Sequence, residues 1–552
     1  MSREDVVYLR GTHRSVADRL KLSTRRDLGA GNFFWHVCEI ARDPDRPLLF
    51  RREGGTTTGH SLDRLRARVL RCARWYAGEG VGPGTRVGVQ LTDGLAGFVQ
   101  HIAITALGGV TTLTNPRMPP GTAAHYFART DTALVVTDLD PPAVSGIRFV
   151  DEATVGASGD GPVPERYRHR DDDLVLISHS SGTTGVPKPT AFAHRTFSVG
   201  KRERLWKFPS LRTDRMLTAL PHSHSSGISY LSLALMLGLP TMLADGTSGE
   251  AVAEAMNAFE PTLVLGFPGT LAELPIDALT TEAAGAVHTW MGMGDASHER
   301  HIRPLVAIGH TRANGAVTAG STYVDGLGSS EMGMVLFKHA YTADSTSYAR
   351  AIGKPVRVVR EAAALDDAGR VLPPGRAGLL GVRTPSVTPG YVNDEKLNHL
   401  ARRGDFFLTG DVVRQDENGT WYHLDRTPDV IETGGGPVYS LPLEEVVLNE
   451  TKALDAAVIA VADPARPGRS LPAAVVLFGH GDPPGAEEIR AACNSALMRA
   501  GLAELAAVVV AGSRSELPVG VTGKVLKREL RERHRELLIG ASGTARQKGT
   551  NG

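Results

Sequence analysis

Residues 180–188 read Ser-Ser-Gly-Thr-Thr-Gly-Val-Pro-Lys, directly after the strand-like run Leu-Val-Leu-Ile-Ser at 174–178. A buried strand that opens into hydroxyls and glycines and closes on one lysine predicts a loop that grips phosphate. Glycine lets the backbone turn tightly and bring N–H groups close to a polyanion; the hydroxyls add donors and Lys188 adds charge. The loop is not a Walker A loop, because the order GxxxxGK[ST] is absent. The alternative is an ordinary Ser/Thr/Gly surface turn, but such turns rarely combine a preceding buried strand with this many donors.

Outward from this loop, helical and strand-like segments alternate. Residues 64–78 form an amphipathic helical pattern, 86–91 (RVGVQL) a short buried strand, 93–108 a helix ended by Gly108-Gly109, and 133–137 (ALVVT) a strand. The apolar stretch 228–244, which contains Pro240, reads as a buried helix followed by a strand. This alternation predicts an α/β architecture with largely parallel sheets. Residues 416–426 (DENGTWYHLDR) read as a hairpin turning at Asn418-Gly419. A Gly-rich stretch at 433–437 follows, and then a smaller α/β pattern: strands at 456–461 and 473–477, a helix at 486–500, a strand at 507–510 and a last helix at 524–538. Residues 1–30 read as an irregular arm, and the small polar residues 541–552 as disordered.

The chain has 552 residues, too many for one compact domain. Its 61 Lys and Arg balance 60 Asp and Glu, which gives no electrostatic reason to expect nucleic acid or an anionic membrane as partner. The basic and acidic run RERHRE at 531–536 reads as a solvated face. The polar N-terminus lacks the apolar core of a signal peptide, and no apolar run reaches the roughly 18 residues that span a bilayer, so a cytoplasmic location is expected. Cys38, Cys72 and Cys493 lie far apart in no metal-binding spacing and are expected as isolated reduced thiols.

The 180–188 loop resembles the phosphate loop of the ANL superfamily: acyl-CoA synthetases, the adenylation domains of peptide synthetases, and luciferases. Pro189 stands where that family usually has Gly, which removes one N–H donor. Other stretches resemble the family's motifs in the family's order. Residues 221–227 (PHSHSSG) resemble the motif whose histidine lies near the acyl pocket and thiol tunnel, which carries over to His224. Residues 325–331 (DGLGSSE) resemble the adenine and magnesium motif, with Leu327 where many members have Tyr. Glu331 is the hard carboxylate that Mg²⁺ accepts while it keeps waters and phosphate oxygens. Residues 409–411 (TGD) resemble the motif whose Asp, here Asp411, bonds both ribose hydroxyls. Residues 425–431 (DRTPDVI) resemble the interdomain hinge: Arg426 carries over as ribose or phosphate contact, Pro428 replaces the usual pivoting Asp, and Asp429 is the neighbouring candidate pivot. Glu432 stands in place of the usual Lys, and Pro442-Leu443-Glu444 is followed by a reversed pair, Glu445-Val446. Residues 518–524 (PVGVTGK) resemble the last motif, which assigns Lys524 as the near-universal catalytic lysine at the start of a helix.

The resemblance covers about residues 31–537. It implies an α/β fold with a large N-terminal domain (31–427) of two doubly wound subdomains and a β-barrel-like element. A small mobile α/β domain (428–538), then a disordered tail (539–552), would follow the arm (1–30). It also implies ATP-dependent activation of a small-molecule carboxylic acid to an acyl-adenylate, with pyrophosphate release, and transfer to coenzyme A. The alternative is delivery to a carrier protein or another nucleophile. The chain ends soon after the Lys524 segment without a fused carrier domain, so a free small thiol is the expected acceptor.

Lys524, Glu331 and His224 are then the expected catalytic residues. The expected nucleotide set is Ser180, Ser181, Gly182, Thr183, Thr184, Lys188, Gly294, Asp295, Asp325, Gly326, Leu327, Ser330, Asp411 and Arg426. Glu331 and Thr183 are expected at Mg²⁺, and His224, Ser225, Gly227, Gly266 and Gly292 at the acyl pocket. The recurrence of small residues there, with Ser226, Gly269 and Gly294, reads either as a wide pocket or as tight backbone packing. The motif spellings resemble those of acyl-CoA synthetases from bacterial secondary metabolism. A homodimer is left open.

Overall fold

The structure, a computed structural model, describes residues 12–142, 144–157, 161–180, 187–208, 212–313, 316–479, 482–520 and 524–539. Two of its sheets carry the site. The first has six strands in the order Arg148–Asp151, Leu134–Thr137, Arg86–Gln90, Val110–Leu113, Leu174–Ser180, Lys188–Ala193. All neighbours are parallel except the last pair. The second is a large mixed sheet. Its parallel part joins Pro47–Glu53, Thr241–Leu243, Met216–Thr218, Leu263–Gly266, Thr289–Met293 and Thr322–Ser329. Antiparallel strands continue it, from Met334–Tyr341 through Ala351–Pro355, Trp421–Arg426, Phe406–Gln415 and Ala377–Arg383 to Glu361–Leu365. Among the described residues the strand pairings of this sheet follow an open path.

The helices follow from their spacing. In Leu62–Gly78, Ser61 caps the Arg64 amide, and Leu65, Val69, Cys72, Ala73 and Tyr76 fall on one buried face. Gly94–Ala106 is buried on every side, so it shows no polar stripe; Asp93 caps its first turn. Ser225–Leu237 is equally enclosed and ends on Gly238 in the left-handed conformation, φ +65°.

The third sheet pairs Asp455–Ala462 with Ser470–Leu477 and then Ala507–Ala511. The helices Ser440–Thr451 and Ala486–Arg499 bury Leu443, Val447, Cys493 and Leu497 against it. The expected hairpin is present: Phe406–Gln415 pairs antiparallel with Trp421–Arg426, and Gly419 sits at φ +79° in the turn.

Two expectations change. Residues 16–24 of the supposed irregular arm form a helix, Val16–Thr24, capped by Ser15. The last helix spans Lys527–Arg533, so Lys524 does not begin it. Residues 518–520 pair with residues 524–526 instead. Leu526 N–H donates to the Pro518 carbonyl at 2.8 Å, Gly520 N–H to the Lys524 carbonyl at 2.7 Å, and Val519 bridges Val525. These bonds satisfy backbone groups that a helix would use otherwise. Among the described residues no helix is long and apolar enough to cross a membrane.

Candidate active site

Parallel strands of the two sheets end at one place, and the third sheet's unit covers it. Gly294 and Asp295 follow strand Thr289–Met293, and Gly326 to Ser329 close strand Thr322–Ser329. Ligand clefts in α/β sheets form at such carboxyl ends. Two cavities meet here. The larger, about 500 Å³, is lined by Gly294, Asp295, Gly326, Leu327, Asp411, Arg426 and Lys524 together with His179 and Asp429. The smaller, about 110 Å³, is lined by Lys188, His224, Ser225, Ser226, Phe267, Met293, Ser330, Glu331, Arg426 and Lys524, among others. Gly294, Gly326, Arg426 and Lys524 belong to both. Gly294 has φ +92°, and a Cβ there would lie 2.7 Å from the Phe267 ring. Only glycine fits this shared wall without strain.

Asp411 is 2% exposed at the edge of the larger cavity. Its Oδ1 lies 3.3 Å from Arg426 Nη1 and 3.4 Å from His423 Nε2. Burial opposes its charge, but Arg426 and His423 hold it well below the usual carboxylate range. It is therefore a fixed anion with lone pairs to offer hydroxyl donors. Arg426 is in turn raised above its ordinary value, chiefly by Asp411.

Glu331 Oε1 accepts a hydrogen bond from the Tyr391 hydroxyl at 2.9 Å, which aims the carboxylate into the smaller cavity. A carboxylate so held, beside space for phosphate oxygens, fits Mg²⁺ chemistry, which uses one or two carboxylates and otherwise water and phosphate. No cluster of three or more His, Cys, Asp or Glu side chains able to hold a metal alone occurs among the described residues.

His224 caps the Ser225–Leu237 helix, its Nδ1 accepting from the Ser226 amide at 3.2 Å and lying 2.8 Å from Ser226 Oγ. Burial pushes its pKa down to about 3, so the ring is neutral. With Nδ1 accepting, the proton sits on Nε2, which lies 3.3 Å from Ser330 Oγ. Lys524 lines both cavities, at their junction. Burial lowers its pKa, against the pull of Asp295, while Asp411 and Glu331 also favour the charged form.

Not every expected residue arrives here. Ser181, Gly182, Thr183 and Thr184 lie outside the described residues, and Ser180 is placed only as the end of its strand. Asp325 is 3% exposed, accepts from Ser297 Oγ at 2.9 Å and lines neither cavity; burial raises its pKa. It supports the strand from behind. Gly227, Gly266 and Gly292 also line neither cavity. A Cβ on Gly292 would lie 1.8 Å from the Tyr323 hydroxyl, one on Gly227 2.7 Å from the Pro221 carbonyl, and one on Gly266 3.2 Å from Leu271. These glycines serve close packing and do not widen the pocket.

Contacts within the third sheet's unit, and between it and the rest, flank the site. Glu445 Oε2 is 2.7 Å from His298 Nδ1, and its Oε1 accepts the Glu299 amide at 2.9 Å. Lys527 Nζ donates to Glu444 Oε1 and Ser440 Oγ, both at 2.6 Å, and Ser440 Oγ donates to Asp425 at 2.9 Å. Asp429, next to Pro428 in the short turn Thr427–Asp429, pairs with Arg531. The sequence patterns did not single out Tyr391, His423, His179, Phe267, His298 or Lys527 for the site. Tyr391, Phe267 and His298 lie outside the motifs in the chain, while His179, His423 and Lys527 flank motifs by one to three residues and carry no pattern of their own.

Residues 35–392 match the family described as AMP-binding enzyme. The chain is 36% identical to a 3-aminoavenalumate diazotase of a Streptomyces species, over 94% of this chain and 98% of that protein. It is 26% identical to a 2-succinylbenzoate–CoA ligase of Bacillus mycoides, over 90% and 98%. Among solved structures it resembles O-succinylbenzoate coenzyme A synthetase from Bacillus subtilis in complex with ATP and magnesium, with TM-score 0.75, 21% identity, and coverage of 91% and 99%.

Proposed function

We infer the activity from one premise: the chain belongs to the AMP-binding enzyme family, the ANL superfamily that its motifs resemble. It is an adenylate-forming ligase. In our reading a small acid attacks the α-phosphorus of ATP through its carboxylate oxygen, pyrophosphate leaves, and the resulting acyl-adenylate passes its acyl group to coenzyme A. The observation that carries this is the convergence of Lys188, Glu331, Arg426 and Lys524 on one cavity that opens to the Asp411 cavity.

Each residue has a distinct task. Asp411 accepts from the ribose hydroxyls. Arg426 and Lys188 offer charge to phosphate oxygens. Lys524 faces the point where charge accumulates as the carboxylate and the leaving pyrophosphate share the phosphorus. Bound Mg²⁺ at Glu331, with Thr183 as second candidate ligand, would neutralise phosphate charge. Neutral His224 presents its Nε2–H towards the acid and the incoming nucleophile. The unit covering the site, about residues 428–538, would rotate after adenylation and carry Lys524 away, with Pro428 or Asp429 as pivot. The reaction belongs in the cytoplasm, where both ATP and coenzyme A are available.

The test is acid-dependent exchange of labelled pyrophosphate into ATP, using the full chain and a panel of acids. Exchange with no acid, including nitrite, would refute the assignment.

A second reading of the acceptor comes from the relative named a diazotase, at 36% identity over nearly the whole chain. The departures at Pro428 and Glu432 fall in and beside the hinge stretch, about which the unit would rotate for the second half-reaction. Nitrite, like a carboxylate, presents an oxygen nucleophile to phosphorus. Its adenylate could transfer the nitroso group to an aryl amine, releasing AMP; loss of water would then leave a diazo group. Parallel incubations with an acid and coenzyme A, and with an aryl amine and nitrite, separate the two. A thioester in the first and no diazo chromophore in the second supports coenzyme A, and the reverse supports the amine.

A further inference from the structure

The small cavity has one feature that adenylation does not use. Its far wall comes from two packed helices, Val199–Lys207 and Ser225–Leu237, which contribute Arg204, Ser229 and Tyr230. The Arg204 guanidinium lies 5.1 Å from the Tyr230 ring centroid. One turn away, Lys201 is 2% exposed. Its Nζ donates to the Phe197 carbonyl and to Ser229 Oγ, the latter at 3.2 Å, and sits 3.5 Å over the Phe197 ring. Among the described residues no carboxylate lies within ion-pair distance of Arg204 or Lys201, although Glu203 on the same helix pairs with Lys207 at 3.6 Å. The lining of this cavity holds Lys188, Arg204, Arg426 and Lys524 against the single carboxylate of Glu331. Three of those cations have phosphate to meet. Arg204 does not, because it lies beside Tyr230, six residues beyond the His224 cap. At about 1.5 Å per residue that is about 9 Å along the helix from the reacting end.

Charges taken out of water are normally paired. Here the partly buried Arg204 guanidinium and the buried Lys201 amine stand together with no carboxylate at ion-pair distance among the described residues. The apolar part of the cavity lining includes Phe267, Met293, Met334 and Val335.

We infer that the cavity binds a ligand with an apolar, ring-sized body and a carboxylate at its far end, held by Arg204 with Ser229 and Lys201 behind it. The substrate class is therefore a dicarboxylic aryl acid, whose second carboxylate reacts with ATP. Burial and the Arg204 charge push the Lys201 ammonium well below its ordinary value, a strain that an anion at this wall relieves. A volume of about 110 Å³ suits a single ring. This inference rests on the adenylation reading only for which end reacts. If nitrite is the adenylated acid, the same wall holds the carboxylate of the amine substrate.

The experiment uses the full chain and four matched probes: 4-carboxycinnamate, cinnamate, 4-methylcinnamate and 4-(aminomethyl)cinnamate. The first readout is pyrophosphate exchange. The second, independent of catalysis, is thermal stabilisation by each probe without ATP. Wild type should favour 4-carboxycinnamate over 4-methylcinnamate by about tenfold or more in kcat/KM and in apparent affinity, the effect of a hydrogen bond to a charged group. In R204M that ratio should fall towards one. R204K should keep most of it, and R204E should instead favour 4-(aminomethyl)cinnamate. If no acid supports exchange but 4-carboxycinnamate stabilises wild type and not R204M, the carboxylate site stands and carboxylate adenylation falls. Equal stabilisation of wild type by the carboxylate and methyl probes would overturn the inference. So would an unchanged ratio in both R204M and R204E.

Discussion

Glu445 offers a direct test of whether the orientation seen here is the one that makes the adenylate. Its side chain is 7% exposed and joins the small unit to the large one through His298 and the Glu299 amide, at 2.7 and 2.9 Å. Burial pushes the Glu445 pKa up, but the His298 hydrogen bond and charge outweigh it, and the net shift is downward. In Glu445→Gln one neutral oxygen can still accept, but the charge-assisted component is lost. Hydrogen bonds to charged groups contribute about 1.5–3 kcal/mol, so the docked orientation should lose about tenfold to a hundredfold in population relative to undocked states. Adenylation, measured by pyrophosphate exchange, should fall accordingly if docking limits it. Transfer from supplied acyl-adenylate to the acceptor should not fall, because that step needs the other orientation. A carboxylate whose docked pKa is depressed supplies its contribution above its undocked pKa and loses it as pH falls through the docked value. Exchange should therefore drop below the usual carboxylate range in wild type, and this component should be missing in the variant. A variant with both half-reactions unchanged, or with only transfer slowed, would refute the reasoning.

Other outcomes follow from the site itself. Lys524→Ala should reduce adenylation by about a hundredfold or more, the loss of one charge stabiliser worth about 3 kcal/mol, while sparing transfer from supplied acyl-adenylate; half-reaction kinetics check this. Glu331→Gln should move the magnesium midpoint for pyrophosphate release to higher concentration while the acid's apparent affinity changes less, measured by magnesium titration. Because Gly227, Gly266 and Gly292 are filled by neighbours, single-ring acids should exceed polycyclic acids in kcat/KM, which a substrate panel checks. Asp429→Pro should slow transfer more than adenylation if residues 428 and 429 carry the rotation, measured by the same two half-reaction assays.

The fold was legible wherever short-range pattern and topology agree. Strands such as 456–461 and 473–477 and the helix at 486–500 appear within three residues of their expected ends. Asp411, Arg426 and Glu331 were legible because each sits inside a local motif whose chemistry is readable without tertiary contacts. The failures were non-local. Small residues at 227, 266 and 292 look the same in sequence whether a ligand or Tyr323 occupies the space beside them. Tyr391 reaches Glu331 from sixty residues away, and Glu445 reaches His298 from 147 residues away. The helix pattern around 524 continued too far back, because the backbone bonds between 518 and 526 compete for the same amides.

The helix Val16–Thr24 packs on the helix that bears Arg204, and Arg202 of that helix donates to the carbonyls of Ser23 and Leu28 at 2.8 and 2.9 Å. The back of the acid cavity is thus braced by the beginning of the chain. Selectivity for the acid becomes tunable from a distance: removing the helix Val16–Thr24, or fusing a bulky group close to Ser15, should loosen discrimination among acids while leaving the proposed nucleotide contact at Asp411 intact. Lineages that drift in these first thirty residues would then change their chemical diet without altering a single motif.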